Sequence, residues 1–128
     1  MKWIVLAFLI GSTASSAMAE NPPDYSDVTS RDAVQALFEQ GELVAVLLFP
    51  EEFGGGESDH NVVFVPAAIS EAKDKNTATL VRYVEEDLID QLEVNPTYKG
   101  SSLVPSTIVI KAWHSNKDGA FNTTIEVW

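Results

Sequence analysis

The residues best suited to chemistry lie in one short glycine-rich segment. Positions 51–60 read EEFGGGESDH and hold the cation-binding side chains Glu51, Glu52, Glu57, Asp59 and His60. Three consecutive glycines leave the backbone almost unrestrained, so we predict a flexible loop. Oxygen-rich flexible loops suit Ca²⁺. EF-hand spacing is absent here, however, and exposed acidic loops are often solvated connections or partner contacts.

The two histidines are a second candidate site. His60 and His114 each stand at a predicted strand end, where imidazole could bind a metal or act as a general base. They lack the spacing that identifies metal sites in a sequence. We therefore assign no metal and no cofactor. If a metal were bound, the candidate ligands would be Glu57, Asp59, His60 and His114.

The pattern disfavours an enzyme. The chain has no cysteine, and none of its serines lies in a G-x-S-x-G turn. Gly54–Gly56 is not followed by the Lys and Ser/Thr of a phosphate-binding loop. We expect a non-enzymatic protein.

A second acidic cluster lies between positions 85 and 93. Leu80, Val84, Leu88 and Leu92 recur at helical spacing, which predicts a helix that starts after Pro66, is divided near 73–76 and ends before Asn95-Pro96. Its outward face would carry the carboxylates Glu85, Glu86, Asp87, Asp90 and Glu93. Such a face serves solubility, or it binds a basic partner.

The overall charge narrows the classes of partner. The 8 Lys+Arg stand against 19 Asp+Glu, a formal net charge of −11. Phosphate backbones need clustered Lys and Arg, so nucleic acid is excluded as a partner, and anionic lipid is disfavoured by the same sign. A cationic protein, peptide or metal ion would be attracted.

The first residues predict export. Lys2 precedes an apolar run over 3–10, and Ala17-Met18-Ala19 fits a cleavage site, so residues 1–19 are a predicted signal peptide. The run is too short to cross a bilayer, so no stable membrane insertion should remain after cleavage. We expect a secreted or periplasmic protein. Residues 20–28 contain Pro-Pro and little to bury, which predicts an extended tether.

The remaining residues, 29–128, predict a single α+β domain. We expect one small antiparallel sheet of about four to five strands with two helices on one face, in the order α-β-β-α-β-β. The first helix should be capped by Thr29 or Ser30 and end at Gly41. The predicted strands are 43–49, which we expect to be central and covered on both faces, then 61–65, 107–114 and 121–128, the last two forming a hairpin.

These features predict an exported acidic interaction protein of inhibitor or immunity type that binds a basic protein. Exposed aromatics such as Phe53, Tyr98 or Trp113 would add contact area. The alternative is a periplasmic protein that binds a small ligand or a divalent metal through loop 51–60. The expected partner-binding residues are Glu51, Glu52, Phe53, Glu57, Asp59, Glu86 and Asp90.

Overall fold

A computed structural model describes residues 23–128, and the predicted signal peptide lies outside them. The first element is helix α1 (Arg31–Glu39), whose N-terminus is capped by the Ser30 side chain accepting from the Ala33 amide at 3.1 Å. Gly41 follows with φ of 79°, the left-handed conformation that ends helices. Both predicted boundary signals of this helix are confirmed.

A two-stranded antiparallel sheet follows. Strand β1 (Leu43–Leu47) pairs with β2 (Val62–Pro66), with Val46 opposite Val63. A short 3₁₀ helix, Glu51–Phe53, lies in the connection. The expectation of a central β1 covered on both faces is wrong. Within residues 23–128 it pairs with β2 alone, and Ala45 is exposed.

Helix α2 (Ala67–Glu85) is continuous through the polar stretch that was expected to divide it. Lys73 and Thr77 are compatible with a helix, and both are buried on its inner side. The helix stops well before the predicted end. Asp87 takes φ of 58°, and the Leu88 amide donates to the Tyr83 carbonyl at 2.8 Å, the hydrogen bond of a Schellman C-terminus.

The apolar residues after α2 form a strand that the sequence analysis assigned to the helix. Strand β3 (Gln91–Thr97) pairs with β4 (Thr107–Trp113), which pairs with β5 (Phe121–Glu126). Leu92 and Val94 are half-buried between exposed neighbours, the alternation of a strand. Pro96 is tolerated because β3 is an edge strand. The predicted β4–β5 hairpin is confirmed.

The α+β class is confirmed. The five strands are divided between two antiparallel sheets, so the single sheet of the prediction is split and the order gains a strand after α2. Within residues 23–128 neither helix has the length and apolar character needed to cross a bilayer. The fully buried side chains, which mark the centre of the core, are Leu43, Val65, Val104, Pro105, Ile108 and Ile110.

Residues 20–28 were predicted to be an extended tether, but the part that the structure describes is packed against the domain. Tyr25 and Val28 are buried. The Ser102 hydroxyl donates to the Tyr25 carbonyl at 2.7 Å, and the Leu103 amide donates to the Val28 carbonyl at 2.8 Å. The Tyr25 ring also meets Trp128 edge-on at 6.0 Å. Residues 25–28 are therefore packed onto the domain, because two apolar side chains outweigh the polar composition around them.

Candidate partner-binding surface

The base of the glycine-rich loop is fixed by one side chain. Asn61 Oδ1 accepts from the Phe49 amide at 2.7 Å, and its Nδ2 donates to the carbonyls of Phe49 and Gly56, each at 3.0 Å. Gly55 lies so close to Phe49 that a Cβ would sit 1.8 Å from that carbonyl oxygen. Gly55 therefore permits a close backbone approach, and the flexibility expected of the whole segment does not extend to its base.

A groove runs beside this loop, between β1 and α2, and we call it the edge groove. Its volume is about 390 Å³. One wall is the run Ala45–Leu47 of β1, and the opposite wall is one side of α2. The other lining residues are Pro50, Glu51, Glu52, Ser70, Lys73, Asp74, Thr77 and Ala78.

The β1 wall of the edge groove is an open strand edge. The Leu48 amide donates to the Asn61 carbonyl at 2.8 Å, so Leu48 and Asn61 are a hydrogen-bonded pair. Antiparallel pairing alternates, so Val46 and Val44 also bond to β2, while Ala45 and Leu47 direct their N–H and C=O groups away from it. No hydrogen bond to these outward groups exists within residues 23–128.

The α2 wall carries a buried lysine. Lys73 is 4% exposed, and its ammonium makes no hydrogen bond or ion pair with any part of the chain that the structure describes. Burial lowers the pKa of Lys73, and the nearby carboxylates of Asp74 and Glu52 oppose that shift. The Lys73 nitrogen still contacts solvent at the groove, so the ammonium is partly desolvated, and partial desolvation of an unpaired charge lowers the stability of a fold.

The carboxylates around the edge groove are not neutralised within the domain. Across residues 23–128, only Asp87 and Asp90 lie within 4.0 Å of a basic nitrogen. Glu51 and Glu52 are exposed beside the groove, and Asp74 lies across from them on α2. Three carboxylates against one lysine give the groove a negative potential.

The second predicted acidic surface is not a helix face. Glu86 is the C-cap of α2, and Asp90 lies in the connection to β3. The Asp90 carboxylate accepts from the Ser115 amide at 2.8 Å and the Ser115 hydroxyl at 2.6 Å. Both bonds lower the pKa of Asp90, and the bond from the Ser115 hydroxyl has the larger effect. Asp90 therefore fixes the β4–β5 turn with both oxygens, and the prediction that these carboxylates share one helix face is wrong.

Phe53 is half-buried and packs edge-on against Phe49 at 6.5 Å between ring centres. It lines a groove of about 400 Å³ together with Val84, Leu92 and Asp90. Phe53 of the loop and Asp90 therefore line the same groove, as expected if both contact one partner. Glu86 does not line this groove.

Asp59 lies on a third surface. It lines a groove of about 470 Å³ along the free edge of β2, with Arg31, Tyr98 and Leu103. Glu57 is exposed and lines none of the three grooves. The expected partner-binding residues are therefore divided among three grooves. Glu51 and Glu52 line the edge groove, Phe53 and Asp90 line the second, and Asp59 lines the third.

The proposed metal ligands are not brought together. His60 is exposed in the loop, whereas His114 Nε2 lies 3.1 Å from Asp87 Oδ1 and its Nδ1 accepts from the Asn116 amide at 3.0 Å. In the described part of the chain no group of three or more His, Asp or Glu side chains is arranged to hold a metal ion. The loop-based metal carrier therefore gains no support from this geometry.

The edge groove was not predicted from the sequence. Ser70, Lys73 and Thr77 follow one another at three- and four-residue steps, the spacing of one helix face. This spacing was visible in the sequence, but polar side chains give no indication that the helix face that carries them is buried. Comparisons of the chain with protein-family models, curated proteins and solved structures returned no match.

Proposed function

We propose that this protein is an exported, non-enzymatic binding protein that holds a basic segment of another protein in the edge groove. The proposal follows from the carboxylates of Glu51, Glu52 and Asp74, which have no basic nitrogen within 4.0 Å in residues 23–128 and outnumber the one nearby lysine, Lys73. Lysines or arginines of a partner would supply the missing opposite charge. Such complementarity speeds association and excludes acidic competitors.

The position of the loop supports this assignment. Asn61 and Gly55 hold the loop base against Phe49, so Glu51 and Glu52 are presented from a fixed 3₁₀ turn. Carboxylates held in place lose less conformational freedom on binding than those of a mobile loop. The groove therefore has preorganised acceptors for cationic side chains.

Capture of a partner tests the proposal. Residues 20–128 are immobilised, and extracts of exported proteins from the host are applied at low and then moderate salt. We expect a basic protein to be retained and released by salt, because screening weakens exposed charge pairs. The double variant Glu51→Gln/Glu52→Gln should bind the partner too weakly for capture on the column.

A charge-matched variant controls for net charge. Glu85→Gln/Glu86→Gln removes the same charge from the end of α2, outside the edge groove. Retention by this variant, with loss by Glu51→Gln/Glu52→Gln, supports the groove. Equal loss in both variants would show that net charge alone drives capture, and retention by both would exclude the groove.

Export is part of the same proposal. It rests on the charge, apolar run and small residues of positions 2–19 in the sequence. The mass of the protein recovered from medium or periplasm should match a chain that begins at Glu20. Recovery of an unprocessed chain from the cytoplasm would contradict it.

A further inference from the structure

We infer that the partner segment binds in an extended conformation, as an added strand on the free edge of β1, with Lys73 donating to its main chain. This inference rests on the proposed function and adds the conformation of the segment. Strand addition uses main-chain hydrogen bonds for affinity and side-chain contacts for selectivity.

The open edge supplies the main-chain partners. Ala45 and Leu47 direct unpaired N–H and C=O groups into the edge groove, and Ala45 is exposed. The opposite wall matches this edge in length. The stretch of α2 from Ser70 to Ala78 spans about 12 Å, close to the roughly 13 Å between Leu43 and Leu47, the two ends of β1. The groove is thus a slot between a strand edge and a helix.

Lys73 supplies a second, independent indication of a ligand. Its side chain lines the slot and is buried along its length, while the ammonium reaches the open groove and has no acceptor within residues 23–128. Keeping such a group reduces stability, and groups of this kind cluster at functional sites. An added strand presents main-chain carbonyls, and one of these would accept from the ammonium.

The charged residues beside each strand edge indicate which kind of segment binds and at which of the two edges. Glu51, Glu52 and Asp74 flank the β1 edge, so the added segment carries lysine or arginine. The free edge of β2 is flanked instead by one cation and one anion, Arg31 and Asp59, which favour neither sign. A second copy of this chain is disfavoured, because each copy carries a large excess of Asp and Glu over Lys and Arg and the two copies repel each other.

Amide hydrogen exchange with a defined probe tests strand addition. The probe is an end-blocked peptide of alternating lysine and threonine, long enough to pair with all of β1. At saturation, the amides of Ala45 and Leu47 should exchange at least about tenfold more slowly. Val44 and Val46, which already bond to β2, should not change. Unchanged exchange at Ala45 and Leu47 would overturn strand addition, whatever the capture experiment shows.

A modified peptide and a matched pair of tryptophan variants test where the peptide contacts the protein. The same peptide methylated at alternate backbone nitrogens keeps its charge but cannot complete the ladder, and should bind about tenfold more weakly. Ala78→Trp fills the slot from an exposed helix position, whereas Ala68→Trp places the same side chain on the same helix outside it. Only Ala78→Trp should abolish binding.

The outcomes separate the two proposals. Suppose that binding is salt-sensitive, is unaffected by methylation of the peptide and is lost in Glu51→Gln/Glu52→Gln. This result would support a basic partner in the edge groove and would overturn strand addition. Slowed exchange at the β2 amides of Val62 and Phe64 would move the site to the other edge and overturn the present assignment. Association of two copies, detected by sedimentation without peptide, would also contradict it.

Discussion

Asn61 bonds to both main-chain groups of Phe49, donating from Nδ2 to its carbonyl at 3.0 Å and accepting at Oδ1 from its amide at 2.7 Å. This pair of hydrogen bonds closes the loop that carries Glu51 and Glu52. A side chain thereby extends the β1–β2 ladder by one step and fixes the acidic end of the edge groove.

Replacing this side chain should destabilise the domain. Asn61→Ala leaves the half-buried N–H and C=O of Phe49 unpaired, and we expect the free energy of unfolding to fall by about 1 to 3 kcal/mol. Urea denaturation followed by tryptophan fluorescence measures this change. Asn95→Ala is the control, because within residues 23–128 the Asn95 side chain bonds only to the exposed Glu93 side chain. Equal effects of the two variants would contradict the role of Asn61.

The close approach of Gly55 to Phe49 gives a second prediction. A Cβ at position 55 would lie 1.8 Å from a backbone oxygen, so Gly55→Ala should lower the free energy of unfolding by more than about 1 kcal/mol. The neighbouring Gly56 has open space at its Cβ position. Gly56→Ala should therefore leave stability unchanged or raise it by less than about 1 kcal/mol. Thermal melts of the two variants compare them directly, and a harmless Gly55→Ala would disprove the close approach.

Lys73 should lower the stability of the domain and strengthen the binding of the partner segment. Lys73→Met removes a partly desolvated ammonium that has no acceptor within residues 23–128, so we expect the free energy of unfolding at neutral pH to rise by up to about 1 kcal/mol. The same variant should bind the lysine–threonine peptide more weakly. Lys75→Met, an exposed position of the same helix, should change neither quantity. Lower stability of Lys73→Met would show that Lys73 has an acceptor within the chain.

The pH dependence of this effect has a defined sign. Burial lowers the pKa of Lys73 in the folded state below its ordinary value of 10.5. The unfolded chain therefore binds more protons than the folded one between these two values, and wild-type stability rises with pH in that window. The advantage of Lys73→Met should shrink as pH approaches 10.5 and be largest below the lowered pKa. A constant advantage across this range would contradict the burial of a charged Lys73.

Asp90 should contribute stability that disappears in acid. The hydroxyl and amide of Ser115 lower the pKa of Asp90 below its ordinary value of 3.8, so the folded state favours the ionised carboxylate. The contribution is complete above the ordinary value and is lost as pH falls through the lowered one. Asp90→Asn should therefore unfold at lower urea than wild type near neutral pH, and the difference should vanish at low pH. Asp118→Asn, at an exposed turn position, serves as the control, and an equal change there would contradict the prediction.

Local signals predicted those elements whose ends are set by single residues. Ser30 and Gly41 bound α1, and Asp118-Gly119 lies in the β4–β5 turn, where Gly119 takes φ of 89°. The end of α2 was missed because Leu88 and Leu92 continue the helical spacing, while Asp87 adopts a left-handed conformation more usual for glycine. The alternation of Leu92 and Val94 with exposed neighbours was the available signal for β3.

The candidate site was predictable only in part. The loop sequence identified Glu51 and Glu52, because acidic residues around glycines lie at the surface. Lys73 was not predictable, since its burial depends on how α2 lies against β1, a contact distant in sequence. The open edge of β1 was hidden for the same reason. An apolar strand predicts burial on both faces, whereas the number of its neighbours is set by the whole topology.

The most direct test of the account is the salt dependence of the dissociation constant for the captured partner. We predict that Kd rises steeply with salt for wild type and for Glu85→Gln/Glu86→Gln, and that the slope falls clearly in Glu51→Gln/Glu52→Gln, because two charge pairs are lost. Equal slopes for all three proteins would contradict a basic segment held by the edge groove.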